Sequence, residues 1–292
     1  MNDAIQPLRA GVVGLGMIGG GVAVSLVRSG LVPAVYDVRP DAADALSGAP
    51  AQVSSPANAA KASDVILLAV VNAEQARDAL IGEQGLLAGS HPGQVIALLS
   101  TISVDDVREL AALCEAKGVD LLDAGVTGGT RSAENGLVVM VGGADAPVSK
   151  AMPILKAFAK TVVHCGPQGA GMVTKLARNA ITYGQWAVIH EAAGFASAGG
   201  VELGSLLEVM VEGDDEGTDH LNLLRGLVAG MTASPERIAS ADYLAEKDLD
   251  AAQQFAASVG VPTPITDQVR PAMHSVYSRQ LPDGRPSIKS EA

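Results

Sequence analysis

Lys175 and Asn179 stand four residues apart in Gly169-Ala170-Gly171-Met172-Val173-Thr174-Lys175-Leu176-Ala177-Arg178-Asn179, a stretch that opens a helical pattern running to about Ser197. That spacing stacks an amine and an amide on one helix face. An amine exchanges protons with a hydroxyl near neutral pH only if its pKa falls well below about 10.4, through burial or a neighbouring positive charge. The amide would fix the oxygen or nitrogen being protonated. Arg178, lying between them, points elsewhere on the helix and reads as a packing or surface residue. A second group is Gly125-Val126-Thr127-Gly128-Gly129-Thr130. Two glycines behind a hydroxyl residue at a strand end expose consecutive N–H groups, so Thr127, Gly128 and Gly129 could cradle a carboxylate. A plain glycine turn is the alternative.

A third constellation lies near the N-terminus. The strand Ala10-Gly11-Val12-Val13 runs into Gly14-Leu15-Gly16-Met17-Ile18-Gly19 and then an apolar helical pattern to about Ser29. Strand, tight turn and helix are the context a dinucleotide fingerprint requires. Gly14 would permit the turn, Gly16 would let the backbone approach a pyrophosphate, and Gly19 would let helix pack on strand. Leu15, Met17 and Ile18 complete the turn and helix N-terminus that hold the anion. The next strand ends in Asp37, about 20 residues on, where a carboxylate binds the adenosine ribose and repels a 2′-phosphate. Asp37 therefore favours NAD. Arg39 keeps NADP open, because a guanidinium can pair with a 2′-phosphate or stack on adenine; a solvated loop charge is its other reading.

These groups need a scaffold. Strands at 65–70, 95–99, 120–123, 137–141 and 161–165 alternate with helices at 56–62, 74–80, 104–116 and 147–157, the pattern of a doubly wound sheet. Ligands bind beyond the C-terminal strand ends of such sheets. That selects the loops Val70-Val71-Asn72, Ser100-Thr101 and 124–130. Val71, Asn72 and Thr101 are candidate cofactor contacts, with a helix cap or turn as the alternative for the two polar residues. Gly142-Gly143 reads as a turn. After Gly171 only helical patterns remain, at 170–197, 203–211, 219–228, 240–259 and 263–278. The expected fold is α/β: an N-terminal Rossmann sheet at 1–168, joined by a long helix to an all-α domain at 169–285, with a tail at 286–292. The helix, roughly 40 Å long at 1.5 Å per residue, would wall a cleft between the domains and pack against a second subunit, so a homodimer is expected.

Composition narrows the partners. A formal charge of −12 over 292 residues argues against nucleic acid or an anionic membrane. Cys114 and Cys165 alone form no disulfide framework, no segment reads as a leader or spanning helix, and a cytoplasmic protein is expected. The acidic run 212–220 reads as a solvated loop and helix cap rather than a metal site, since no second histidine or cysteine has ligand spacing. His190 and Glu191, about 16 Å along the helix from Asn179, read as packing or dimer contacts.

Four blocks together resemble the β-hydroxyacid dehydrogenase family, which includes 3-hydroxyisobutyrate dehydrogenase and tartronate semialdehyde reductase. They are Gly14 to Gly19, Asp123 to Gly129, Gly171 to Asn179, and Glu246-Lys247-Asp248-Leu249, in the family's order across nearly the whole chain. The resemblance implies Lys175 as catalytic lysine, Asn179 as substrate-binding asparagine, Thr127-Gly128-Gly129 as the substrate-carboxylate loop and Lys247 as the lysine that closes over the cofactor. Arg178 departs from the family, which often has asparagine there. Thr127 replaces a common serine. Tyr183 is shared with the 6-phosphogluconate branch, but Thr182 stands where that branch carries an acidic glutamate. The expected activity is hydride transfer between NAD and a small 3-hydroxy acid or its semialdehyde. Two rivals stay open: an NADPH-dependent aldehyde or imine reductase, and a non-catalytic dinucleotide-binding protein.

Overall fold

Runs of four apolar residues with no polar alternation form the strands β1 (Ala10–Val13), β3 (Val65–Leu68) and β4 (Val95–Leu98). Every residue in them is buried, as expected of strands covered by helices on both faces. The computed structural model describes residues 8–48, 51–213, 229, 231 and 233–278. With β2 (Ala34–Tyr36), β5 (Asp120–Thr127), β6 (Leu137–Gly142) and β7 (Ala159–Gly166) they form one seven-stranded sheet in the order β2-β1-β3-β4-β5-β6-β7. All neighbours are parallel except β5 and β6. The chain leaves β1 to one side and returns to the other at β3, so the topological switch point lies between these two strands.

Alternate strand residues feed two cores. Val12, Leu67, Ala97 and Leu122 pack with α1 (Met17–Arg28) and α6 (Asp145–Phe158), where Leu26, Leu155 and Phe158 are fully enclosed. Val13, Ile66, Leu68 and Ile96 pack on the opposite face with α2 (Pro56–Lys61), α3 (Ala73–Ile81), α4 (Leu86–Gly89) and α5 (Val104–Glu115). Each enclosed large side chain contributes roughly 1.5–3 kcal/mol relative to exposure.

The chain divides into two compact units, up to Ala180 and from Ile181. The boundary falls inside α7 (Ala170–Ala198). In the second unit, α8 (Leu203–Glu212), α9 (Pro235–Ser258), α10 (Pro264–Val269) and α11 (Met273–Tyr277) follow. Phe195 and Phe255 meet edge to face at 6.4 Å. Arg270 ties α9 together by bonds to Glu246 at 2.6 Å and Asp250 at 2.7 Å. Among the described residues no helix is long and apolar enough to cross a membrane.

Several elements differ from the sequence reading. β5 continues through Thr127 instead of ending at Asp123, because Ala124 to Thr127 pair with Val138 to Val141 of β6. The helix expected at 263–278 is broken into α10, a 3-10 turn Arg270–Ala272 and α11; Pro271 lacks the N–H that a continuous helix needs. α9 begins at Pro235, with Ser234 capping Arg237, rather than at Ser240. Gly142 closes β6 and only Gly143, at φ +150°, makes the turn. Glu191, expected as a packing or dimer contact, has a specific partner within the chain. Its carboxylate accepts from Ile265 N at 2.7 Å, Thr266 N at 2.9 Å and Thr266 Oγ1 at 2.6 Å, capping α10. The expected helix at 219–228 and most of the acidic run, 214–220, lie outside the described residues.

Candidate active site

The glycine-rich turn is shaped by what it cannot hold. Gly14 sits at φ +89°, and a Cβ there would stand 2.3 Å from the Ala69 carbonyl oxygen. Its N–H donates to the Tyr36 carbonyl at 2.8 Å. A Cβ on Gly19 would meet the Gly14 carbonyl at 1.8 Å, so α1 rests directly on the turn. Gly16 faces open space. The turn borders a groove of about 580 Å³ at the β1/β3 switch point, lined by Gly14, Gly16, Asp37, Arg39, Val70 and Val71 among others. Exposed Met17 and Val71 supply apolar surface beside it. A dinucleotide fits this cradle: bare backbone at Gly16 for a pyrophosphate, a helix N-terminus behind it, and a carboxylate at the end of β2.

Asp37 is already engaged. Its carboxylate accepts from Leu15 N at 2.7 Å, Arg39 N at 2.9 Å and Arg39 Nε at 3.0 Å. Burial pulls its pKa up, but the bonds from Arg39 and the Leu15 backbone outweigh that and hold the carboxyl below its usual range. Arg39 stays largely exposed, bridging carboxylate and groove. Asn72 serves as N-cap of α3, its Oδ1 accepting from Gln75 N at 2.9 Å, and Val71 N donates to Gln75 Oε1 at 3.0 Å. Their remaining surface faces outward. Ser100 Oγ bonds both Val70 N at 3.0 Å and Val70 O at 2.6 Å, fixing the loop in which Thr101 is exposed.

The Thr127-Gly128-Gly129 loop abuts the same helix end. Gly128 is left-handed at φ +86°, and a Cβ on Gly129 would touch Ile18 Cδ1 at 3.0 Å and Met17 Cε at 3.3 Å. Ser132 Oγ donates to the Met17 carbonyl at 2.9 Å, and Ser25 Oγ donates to the Ser132 carbonyl at 2.8 Å. This clamp holds the 3-10 segment Gly129–Glu134 on α1. Sequence reading missed Ser25 and Ser132, whose long-range partners leave no local signature.

Lys175 is placed by a buried carboxylate and a set of glycines. Asp123, fully enclosed, accepts from Gly169 N at 2.7 Å and Met172 N at 2.7 Å, satisfying the first turn of α7. Burial raises its pKa, and the bonds from Gly169 and Met172 pull it only part of the way back. A Cβ on Gly171 would stand 2.5 Å from the Asp123 and Met140 carbonyls; one on Gly142 would stand 2.7 Å from Gly171 N. α7 therefore starts flat against the backbones of β5 and β6. A Cβ on Gly125 would stand 2.8 Å from Lys175 Cβ, so the lysine stem lies over that glycine at the C-terminal part of β5. Lys175 is only 8% exposed. Burial, and secondarily the charge of Arg178, lower its pKa. It has no carboxylate partner among the described residues. Asn179, half-buried, sits one turn further on. Arg178 is exposed, as expected of a surface residue, yet it is not idle: its Nη1 donates to Asn179 Oδ1 at 3.3 Å. Asp123 could have been found from sequence, since a lone carboxylate inside an apolar strand demands a buried partner.

Lys247 lies in the second unit on α9, exposed and 3.3 Å from Asp248. Among the described residues no group of three or more metal-binding side chains converges.

Comparison with known proteins matches this arrangement. Residues 9–166 fit the family model described as the NAD binding domain of 6-phosphogluconate dehydrogenase, and residues 169–285 fit that of the NAD-binding domain of NADP-dependent 3-hydroxyisobutyrate dehydrogenase. The chain is 31% identical over 260 residues, 87% of each chain, to an NAD-dependent L-serine dehydrogenase of Pseudomonas aeruginosa. It is 30% identical to a 2-(hydroxymethyl)glutarate dehydrogenase of Eubacterium barkeri, covering 89% of this chain and 86% of that one. A solved Mycobacterium tuberculosis 3-hydroxyisobutyrate dehydrogenase with L-serine superposes with TM-score 0.65 at 26% identity, covering 97% of this chain and 96% of that one. With a glycine-rich turn, a carboxylate at the end of β2 and a buried lysine on the helix that follows the sheet, the chain belongs to the β-hydroxyacid dehydrogenase family of NAD(P)-dependent oxidoreductases acting on CH–OH groups.

Proposed function

We propose that the protein oxidises a small 3-hydroxy acid to its semialdehyde, or runs the reverse reduction, with NAD as preferred cofactor and Lys175 as general acid/base. The observation that carries this reading is Lys175 itself: an amine buried against Gly125, without a carboxylate partner among the described residues, one helical turn from Asn179. A lysine on a helix is normally a solvated surface charge, and Lys175 is buried. Bound NAD supplies the hydride acceptor. Lys175, as free amine, takes the hydroxyl proton; in reduction its ammonium returns one to the developing alkoxide. Asn179 holds the reacting oxygen. Thr127, Gly128 and Gly129 hold the carboxylate. Gly14, Leu15, Gly16, Met17 and Ile18 hold the pyrophosphate, Asp37 and Arg39 the adenosine end, and Val71, Asn72, Thr101 and Lys247 further parts of the cofactor.

The substrates printed in the names of the relatives support the class. L-serine and 2-(hydroxymethyl)glutarate both carry a hydroxyl on a carbon β to a carboxylate. The same proposal includes a dinucleotide-binding part to residue 168, a helical part from 169 to 285, and a homodimer in the cytoplasm. The dimer rests on the exposed apolar side chains of the second unit, where Trp186, Leu207, Val209 and Met210 are each more than 60% exposed; exposed apolar surface of this kind, where it is contiguous, marks interaction sites.

A spectrophotometric panel of 3-hydroxy acids with NAD and NADP tests the reading together with Lys175→Met. Turnover with NAD and at least one 3-hydroxy acid is expected, and the variant should lose about 10²–10⁴-fold in kcat while binding NAD as before. Unchanged kcat in Lys175→Met, or activity confined to NADPH with imines, would overturn it.

A further inference from the structure

The segment behind the proposed carboxylate loop is fastened to the helix that would carry the pyrophosphate, and the fastening lands on the helix's first residue. Met17 opens α1 directly after Gly16, which faces open space, and its carbonyl accepts from Ser132 Oγ at 2.9 Å. One turn on, the helix offers bare backbone: a Cβ on Gly21 would stand 2.0 Å from Ser132 Oγ and 2.9 Å from Ala133 N. A second fastening lies about two turns along α1. Ser25 Oγ donates to the Ser132 carbonyl at 2.8 Å and accepts from Asn135 N at 3.2 Å. Both serines are buried, so neither can exchange its partner for water at no cost. Left-handed residues bracket the segment, Gly128 at φ +86° and Asn135 at φ +54°. The Asn135 side chain accepts from Arg28 and donates to the Ala157 carbonyl near the end of α6. Between β5 and Ser132 stand two consecutive glycines, 128 and 129, which have the most backbone freedom to lose when the loop is ordered. An anion at the head of α1 fixes its first turn, and with it the carbonyl that Ser132 holds.

We propose that Ser132 is a positioning residue that couples the two halves of the site: through its bond to Met17, NAD at the glycine-rich turn orders the loop 127–129 and tightens the hold on the hydroxy acid's carboxylate. The inference rests on the assignment of that loop to the carboxylate given above. By linkage, the hydroxy acid tightens the hold on NAD by the same factor. One buried hydrogen bond carries the coupling, so the factor is roughly two- to tenfold. The proton path through Lys175 is untouched.

The test uses the full-length protein and two variants that open the fastening from opposite sides. Ser132→Ala removes the hydroxyl. Gly21→Ala puts a methyl where that hydroxyl lies, in a helix that alanine itself favours. The first readout is amide hydrogen exchange with and without saturating NAD, followed by mass spectrometry of peptides covering residues 14–20 and 128–136. In the parent, NAD should slow exchange in both peptides; in the variants it should slow 14–20 alone. A merely structural role for Ser132 would speed exchange at 128–136 in both states and keep the difference between them. The second readout is steady-state kinetics at saturating NAD with the 3-hydroxy acid that the panel above identifies. KM for the acid should rise roughly two- to tenfold in each variant, with kcat as in the parent. If NAD slows exchange at 128–136 as much in both variants as in the parent, or if kcat falls while KM holds, the inference is wrong. The exchange readout needs no hydroxy acid, so it judges the coupling even where the panel overturns the substrate reading. NAD that fails to protect 14–20 in the parent overturns the cofactor site and the inference with it.

Discussion

In the proposed reaction Lys175 and Asp37 set the chemistry, and each has a measurable signature. Burial and the neighbouring Arg178 hold the Lys175 amine below the ordinary lysine pKa of about 10.4. Oxidation needs the free amine, so kcat/KM for the hydroxy acid should rise with pH and level off above a midpoint lower than that value. Reduction needs the ammonium, and its rate should fall through the same midpoint. A pH profile in both directions reads the sign; parallel trends would remove Lys175 from the proton path. Asp37 is the residue proposed to govern the adenosine end. Its carboxylate holds Arg39 and the Leu15 N–H, so Asp37→Ala removes a ribose acceptor and frees the guanidinium together. About 1.5–3 kcal/mol for a charged hydrogen bond corresponds to a KM for NAD raised at least tenfold, while KM for NADP falls. Steady-state kinetics with both cofactors measures the exchange.

At the scale of elements, the position of Lys175 follows from how α7 meets the sheet. Helix N-termini leave four N–H groups unpaired, and Asp123 from β5 takes two of those at the head of α7. Glycines at 125, 142 and 171 remove the side chains that would hold the helix away. Gly125→Ala tests this arrangement. Its Cβ would lie 2.8 Å from Lys175 Cβ, in a stretch whose backbone is not left-handed, so the lysine must shift while the strand survives. Overpacking of this kind costs about 1–3 kcal/mol. A 1 Å misplacement of a reacting group can cost about 10² in rate. We expect kcat to fall by that order with NAD affinity retained, measured by kinetics and by titration of cofactor fluorescence. The glycines themselves were visible in the chain, and so was the run of apolar residues around Asp123. Their mutual contact was not, because residues 125 and 175 are brought together by the pairing of β5 with β6 and the return of the chain through α6 and β7, none of which a local pattern encodes.

For the whole molecule, exposed apolar surface in the second unit leads to an expected homodimer. Light scattering after gel filtration should give about twice the 29.5 kDa of the chain; replacing Leu207 and Met210 with glutamate should move it toward the monomer. The two thiols should also separate. Cys114 is enclosed and its pKa is pushed up to about 12 by burial, whereas Cys165 is partly exposed. A thiol reagent should titrate one cysteine in the native protein and both after unfolding. Rapid reaction of both in native protein would mean that the α5 face opens far more readily than its packing implies.

Periodicity and punctuation in the sequence were enough to determine the alternating sheet, the long helix, the glycine-rich turn with its carboxylate at residue 37, and the pairing of Lys175 with Asn179 on one face. All of these depend on neighbours within a few residues or on a fixed repeat. Tertiary structure alone decided that Asp123 caps α7, that Ser25 and Ser132 bind the segment after Thr127 to α1, that Glu191 caps α10, and that Arg178 turns back onto Asn179. In the first three cases a polar group in a poorly solvated place must find a partner, and the partner is far away in sequence. Such a group announces only that it needs one. Arg178 lies next to Asn179 in the chain, but adjacency does not say which way a long, flexible guanidinium will bend.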